Sequence, residues 1–149
     1  MLEMMIVIAI LGAVIIVIPA LDAWMGRQGV SLAAQQVRSD LQLARMMAIK
    51  HRRSCAIVVH APGQNSYQNS LSRKLMRLSQ FRGGVHFLNQ GPDGVTAAPE
   101  IVFNRRGMSA SVMPRDFFLA DAEVNRIYRI RVRLPGSISV YCWGRDRWY

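Results

Sequence analysis

The sequence predicts an α+β protein: a long N-terminal α-helix, membrane-spanning in its first half and amphipathic in its second, packed on a C-terminal antiparallel β-rich head. Three observations carry this. Residues 4–21 are an apolar run without a single charge. Residues 22–51 repeat apolar side chains at three- and four-residue spacing, the period of a helix with one buried face. Beyond residue 51 the chain becomes short β-branched and aromatic runs punctuated by Gly, Pro and Asn. The expected organisation is a helix over 1–51 and a globular head over 52–149.

The first element runs from Met4 to Leu21 after a lone carboxylate, Glu3. A spanning helix needs roughly 20 apolar residues, so about 4–21 suffices at the short end. A cleaved signal peptide needs a positive start and a small-x-small cleavage site, and the chain opens Met1-Leu2-Glu3. A buried core helix would more often carry polar interruptions. The positive-inside rule applied to the chain as written puts Arg27 and Arg38 in the cytoplasm, so a basic stretch ahead of Met1 is expected. Glu3 has two readings: an acid favoured in a first helical turn by the dipole, or a carboxylate neutralised at the lipid boundary by a cation from another subunit.

In the second half, Val30, Ala33, Val37, Leu41, Ala44 and Ala48 form the apolar stripe. Gln35, Arg38, Asp40, Gln42 and Arg45 fall between them. Pro19, Gly26 and Gly29 loosen or bend the helix near the membrane exit, and it is expected to end near His51. In the head, the β-rich run Cys55–His60 leads into a turn at residues 61–65. Strands are expected over Leu75–Phe81, Val85–Leu88, Ile101–Asn104, Ile127–Leu134 and Ser137–Trp143, the last two a hairpin across Pro135-Gly136.

The stretch from Leu2-Glu3 through the apolar run to Gly12 resembles the N-terminus of type IV pilins and type II secretion pseudopilins. The family pattern there is Phe-Thr-Leu-x-Glu followed by an apolar helix. Val37–Ile49, with its Leu-x-x-Ala-Arg-x-x-Ala-Ile spacing, resembles the GspH/FimT branch. So does Ile101–Gly107, where a strand ending in Phe enters a Gly turn. The resemblance implies a pilin-like fold and a filament-assembly role for Glu3, pairing with the N-terminal amine of a neighbouring pilin subunit. It also implies processing by a prepilin peptidase, which removes a short basic leader before the new N-terminus is methylated. The leader, the Gly-Phe junction and the following Thr are not found before Leu2, so the numbering is expected to begin inside the reading frame or processing to be abnormal.

The formal net charge is +10, which suits nucleic acid, acidic lipid or an acidic protein, or else a basic surface that is simply solvated. In Ile127–Leu134 the alternation sends Tyr128, Ile130, Val132 and Leu134 to the core and Arg129, Arg131 and Arg133 to solvent. The ladder reads either as a phosphate-binding row or as edge protection. The chain ends Gly144-Arg145-Asp146-Arg147-Trp148-Tyr149. This resembles the Gly-Arg-x-Arg motif of FimT-type minor pilins, which implies DNA binding for uptake by Gly144, Arg145 and Arg147. Asp146 partly offsets that charge. On a mobile terminus the arginines would pair with phosphates, and Trp143, Trp148 or Tyr149 would stack on bases; the other reading of these aromatics is packing.

His51, His60 and His86 lack metal-ligand spacing, and no nucleophile elbow, P-loop or dinucleotide fingerprint is present. No cofactor, metal or catalytic site is expected, and the chain reads as a non-enzyme. Cys55 and Cys142 form no CxxC pair; a disulfide between them is allowed if the head lies outside the cytoplasm. Two function classes follow. In the first the chain is an inner-membrane minor pilin or pseudopilin with a periplasmic head, which either captures DNA or contacts other pseudopilins or exported proteins. In the second it is a bitopic membrane protein with a basic head on acidic lipid or protein and no filament role.

Overall fold

The structure is a computed structural model and describes residues 28–60, 65–123 and 126–149. Glu3, the apolar run 4–21 and Pro19 lie outside the described residues. Among those described, no helix is long and apolar enough to cross a membrane.

Helix α1 spans residues 28–51, and at 1.5 Å per residue is about 36 Å long. Val30, Ala33, Ala34, Val37, Leu41, Ala44 and Ala48 are fully buried. The small alanines let the helix lie close to the sheets, and each buried Val or Leu contributes about 1.5–3 kcal/mol. The helix ends where His51 is predicted to end it. The Arg53 amide bonds to the Ala48 carbonyl and the Arg52 amide to that of Ile49, with Arg52 at φ 50°. This is the Schellman pattern, with arginine at the left-handed position that glycine usually takes.

Among the described residues, nine strands form two antiparallel sheets. The first sheet has the order β3-β2-β1-β5, from β1 Cys55–His60, β2 Ser66–Asn69, β3 Leu75–Arg77 and β5 Glu100–Phe103. The second has the order β4-β6-β7-β8-β9, from β4 His86–Leu88, β6 Arg115–Ala120, β7 Ile127–Val132, β8 Ile138–Gly144 and β9 Arg147–Trp148. α1 and the inner faces of both sheets share one core, in which Ile57, Tyr67, Ile101, Phe103, Phe117, Leu119 and Ile130 are buried. The edge-to-face series Tyr67–Phe87–Phe117 crosses from one sheet to the other. Tyr67 also donates its hydroxyl to Asp40 Oδ2 at 2.5 Å, joining β2 to the middle of α1.

The strands differ from expectation in identifiable ways. The predicted strand Leu75–Phe81 stops at Arg77, because Leu78 opens a 3-10 turn (Leu78–Gln80) and is itself buried. β2, β6 and β9 were not anticipated. β6 is buried from Asp116 to Ala120, so it lacks the alternation of a half-exposed strand.

The Leu-x-x-Ala-Arg-x-x-Ala-Ile stretch has a structural reason. Leu41, Ala44 and Ala48 are core. Arg45 Nη1 donates to the Gly136 carbonyl at 3.0 Å, and Ile49 lies against Gly107. Gly107 has φ 73° in a turn built by Asn104, whose Oδ1 accepts from the amides of Arg106 and Met108. The β7–β8 turn and the turn after β5 are thus seated on the last turns of α1.

Candidate functional site

The outer face of the second sheet holds a polar–aromatic cluster. β7 pairs Arg129 with Phe118 of β6 and Tyr141 of β8, and Arg131 with Asp116 and Ser139. All six therefore project away from α1, as paired residues share a face. Arg129 is not solvent-exposed as the alternation suggested; its relative exposure is 4%. The loop between β4 and β5 closes over it, with Gly91 so near the Phe118 ring that a Cβ would lie 2.5 Å from it.

The covered guanidinium is neutralised from two sides. Arg129 Nη2 meets Asp116 Oδ2 at 2.6 Å, and Nη1 meets Asp93 Oδ2 at 2.7 Å. Arg131 Nε meets Asp116 Oδ1 at 2.9 Å. The Phe118 and Trp148 rings lie 5.4 and 5.3 Å from the Arg129 Cζ, within cation–π range. Burial pushes the Asp116 carboxyl above its ordinary value; the Arg131 hydrogen bond and charge oppose this, and Asp93 adds to it. The arginine ladder is therefore not one cationic row: Arg129 and Arg131 serve the fold, and only Arg133 is exposed.

The C-terminal motif is a structured hairpin rather than a mobile tail. β8 and β9 pair Trp143 with Trp148 and Gly144 with Arg147, and the amides and carbonyls of Cys142 and Tyr149 bond reciprocally at 3.0 Å. Arg145 and Asp146 form the two-residue tip with φ 49° and 58°, the signature of a type I′ turn. Trp148 Nε1 donates to Asp93 Oδ2 at 3.0 Å, and its ring packs on Trp143 and Phe118. Arg147 lies over the Tyr149 ring and donates to its hydroxyl at 2.9 Å. The packing reading thus holds for Trp143 and Trp148. Arg145, Asp146 and Arg147 are exposed.

This tip is at the opposite end of the head from Arg133. Arg133 adjoins the turn held by Arg45, whereas Gly144 lies six residues farther along β8, about 20 Å away. The two groups of arginines are separate features. Both cysteines are free: Cys55 is buried in the first sheet, and Cys142 is half-buried in the second. The allowed disulfide is not formed. Burial raises the Cys55 thiol above its ordinary value, and Ser70, Leu71 and Asn69 partly oppose this, so it remains a thiol that packs. Among the described residues no group of three or more His, Cys, Asp or Glu is placed to hold a metal.

Outside the core, α1 exposes Leu32, Leu43 and Met46. Their spacings of eleven and three residues put them on one stripe. No sequence signal flagged this stripe, because the buried stripe on the other side of the helix dominates the periodicity.

One helix laid across two antiparallel sheets, capped by turns seated on its C-terminal half, defines the pilin fold. Residues 33–136 match the family described as Type II transport protein GspH, and the chain belongs to that family. Two crystal forms of the type IV minor pilin FimU of Pseudomonas aeruginosa (strain PAO1) share the fold. The first aligns with TM-score 0.61 and 14% identity over 85% of this chain and 96% of that one. The second aligns with TM-score 0.51 and 15% identity over 80% and 96%. No curated protein sequence matches the chain.

Proposed function

We propose that this chain is a non-enzymatic minor pilin or pseudopilin subunit of a type II secretion or type IV pilus filament. In this reading residues 4–21 anchor it in the inner membrane with the head in the periplasm, and the helix is the assembly element. The observation that carries the reading is the exposed apolar stripe Leu32, Leu43 and Met46. It continues the chemistry of the N-terminal run onto a helix face that the head leaves uncovered. Singly exposed apolar residues need no partner, but three along one stripe suit helix-to-helix packing. Glu3 supplies the assembly contact by pairing with a neighbour's N-terminal amine, which removes the cost of a carboxylate at the lipid boundary. A prepilin peptidase acts where the full-length form carries the leader.

The hairpin tip, with Gly144, Arg145 and Arg147, contacts DNA through phosphates alone in this reading, since Trp148 is already engaged with Asp93. Glu3→Ala tests the assembly role: the variant stays in the membrane fraction and disappears from sheared filaments. Equal recovery of wild type and variant in filaments would sink it and return the bitopic alternative. A gel-shift titration in salt, comparing wild type with Arg145→Ala/Arg147→Ala, tests the tip.

A further inference from the structure

The charge of this chain is concentrated elsewhere than on the hairpin tip. No Asp or Glu occurs between Asp40 and Asp93, nor between Glu100 and Asp116. The fold gathers cations of these acid-free stretches at one pole. The β2–β3 turn carries Arg73 and Lys74, the entry to β1 carries Arg52 and Arg53, and the exit of β5 carries Arg105 and Arg106. β2, β1 and β5 are neighbours, with Asn69 opposite Ile57 and Cys55 opposite Phe103. All three pairs therefore emerge from the same end of the first sheet. Strand spacing of about 4.8 Å puts them in a row roughly 10–15 Å across. All six are exposed. The nearby carboxylate of Asp40 lies ten residues before Lys50 on α1 and accepts from Tyr67 and Gln36.

Two of the six occupy backbone that disfavours them. Arg52 has φ 50° and Arg73 φ 53°, left-handed positions where glycine or asparagine is favoured. A basic side chain kept at a strained position points to a use for that side chain.

We propose that this pole is a binding surface for the phosphate backbone of double-stranded nucleic acid, distinct from the hairpin tip. Three arguments select this partner. Phosphate contacts need charge and bidentate guanidinium geometry but no apolar centre; the exposed apolar side chains Leu75 on β3 and Ile49 on α1 stand beside the six cations rather than among them. A stable protein partner needs a desolvated apolar or aromatic core to the patch, and the head's two tryptophans and Tyr149 are not at this end: Trp143, Trp148 and Tyr149 sit at the far end of β8. If residues 4–21 anchor the chain as proposed above, lipid headgroups are out of reach, because the pole lies at the C-terminal end of α1, about 36 Å along the helix from residue 28, several Debye lengths at physiological salt. Binding is sequence-independent and steeply salt-sensitive.

The test uses the full chain in uncharged-detergent micelles and the fluorescence anisotropy of a labelled 30-base-pair duplex across a salt series. Arg73→Ser/Lys74→Ser/Arg105→Ser/Arg106→Ser is expected to weaken binding at least tenfold at 0.1 M salt and to make the log–log salt slope shallower by about two to four. The same loss appears in an Arg145→Ala/Arg147→Ala background, which separates this surface from the tip. Arg52→Gly/Arg73→Gly relieves the backbone, so it raises the melting temperature while weakening binding about threefold or more. Binding by the four-site variant within twofold of wild type, with unchanged circular dichroism, would overturn the proposal. So would polyglutamate of matched charge competing as well as the duplex, which would make the partner an acidic polypeptide.

Discussion

Arg129 and Asp116 face each other across β7 and β6 at 2.6 Å, both nearly buried on the side of the sheet away from the helix. The pair turns a strand that reads as a row of solvent-facing arginines into a closed network. Asp93 reaches in from the β4–β5 loop to Arg129 and to the Trp148 indole, so one carboxylate fastens both the sheet face and the C-terminal hairpin.

Removing Asp116 leaves the Arg129 guanidinium buried with half its compensation. Asp116→Ala should therefore destabilise the fold by about 3–5 kcal/mol, read from urea unfolding. Replacement of exposed Arg133 by Ala should cost less than about 0.5 kcal/mol. Equal costs at the two sites would mean that Arg129 is not held as described.

The seating of the turns on α1 predicts intolerance at Gly136. A Cβ there would lie 2.2 Å from the Gly107 carbonyl oxygen, at φ 78°. Gly136→Ala should cost at least about 2 kcal/mol. Arg45→Ala should cost about 1–2 kcal/mol through the loss of its bond to the Gly136 carbonyl. Thermal melts of the two variants check both values, and wild-type stability for Gly136→Ala would refute the close approach.

Tyr67 makes the pH dependence specific. Burial, and then the hydrogen bond and charge of Asp40, push its hydroxyl far above the ordinary value of 10.0. A folded-state value raised above the unfolded one gives stability that is complete below pH 10. It is lost as the unfolded tyrosine ionises and the folded one does not, at about 1.4 kcal/mol per pH unit for one group. Wild type should show one tyrosine that fails to ionise until the protein unfolds, followed by absorbance near 295 nm. Tyr67→Phe should flatten the alkaline fall in stability by that one group.

Much of this architecture was legible in the residues. The spacing of Val30, Val37, Leu41 and Ala48 defined the buried face of α1, and His51 marked its end, because helix periodicity is local. Pro135-Gly136 marked the β7–β8 turn for the same reason. The burial of Arg129 was not legible, since its partners stand 36 and 13 residues away and only sheet pairing brings them together. β6 was missed because both its faces are covered, which erases alternation. The hairpin tip was hidden by its chemistry: Arg145 and Asp146 occupy left-handed positions where Asn-Gly would have announced a type I′ turn.

The central claim is that α1 is an assembly element whose uncovered stripe meets other subunits. The most direct measurement is site-specific photo-crosslinking in cells, with a benzophenone amino acid at Met46 of the full chain and, for comparison, at exposed Ser79 on the 3-10 turn. The account predicts crosslinks from Met46 to other pilin or pseudopilin subunits that disappear when Glu3→Ala is added, and none from Ser79. Absence of Met46 crosslinks in filament-forming cells, or crosslinks that persist unchanged with Glu3→Ala, would contradict it.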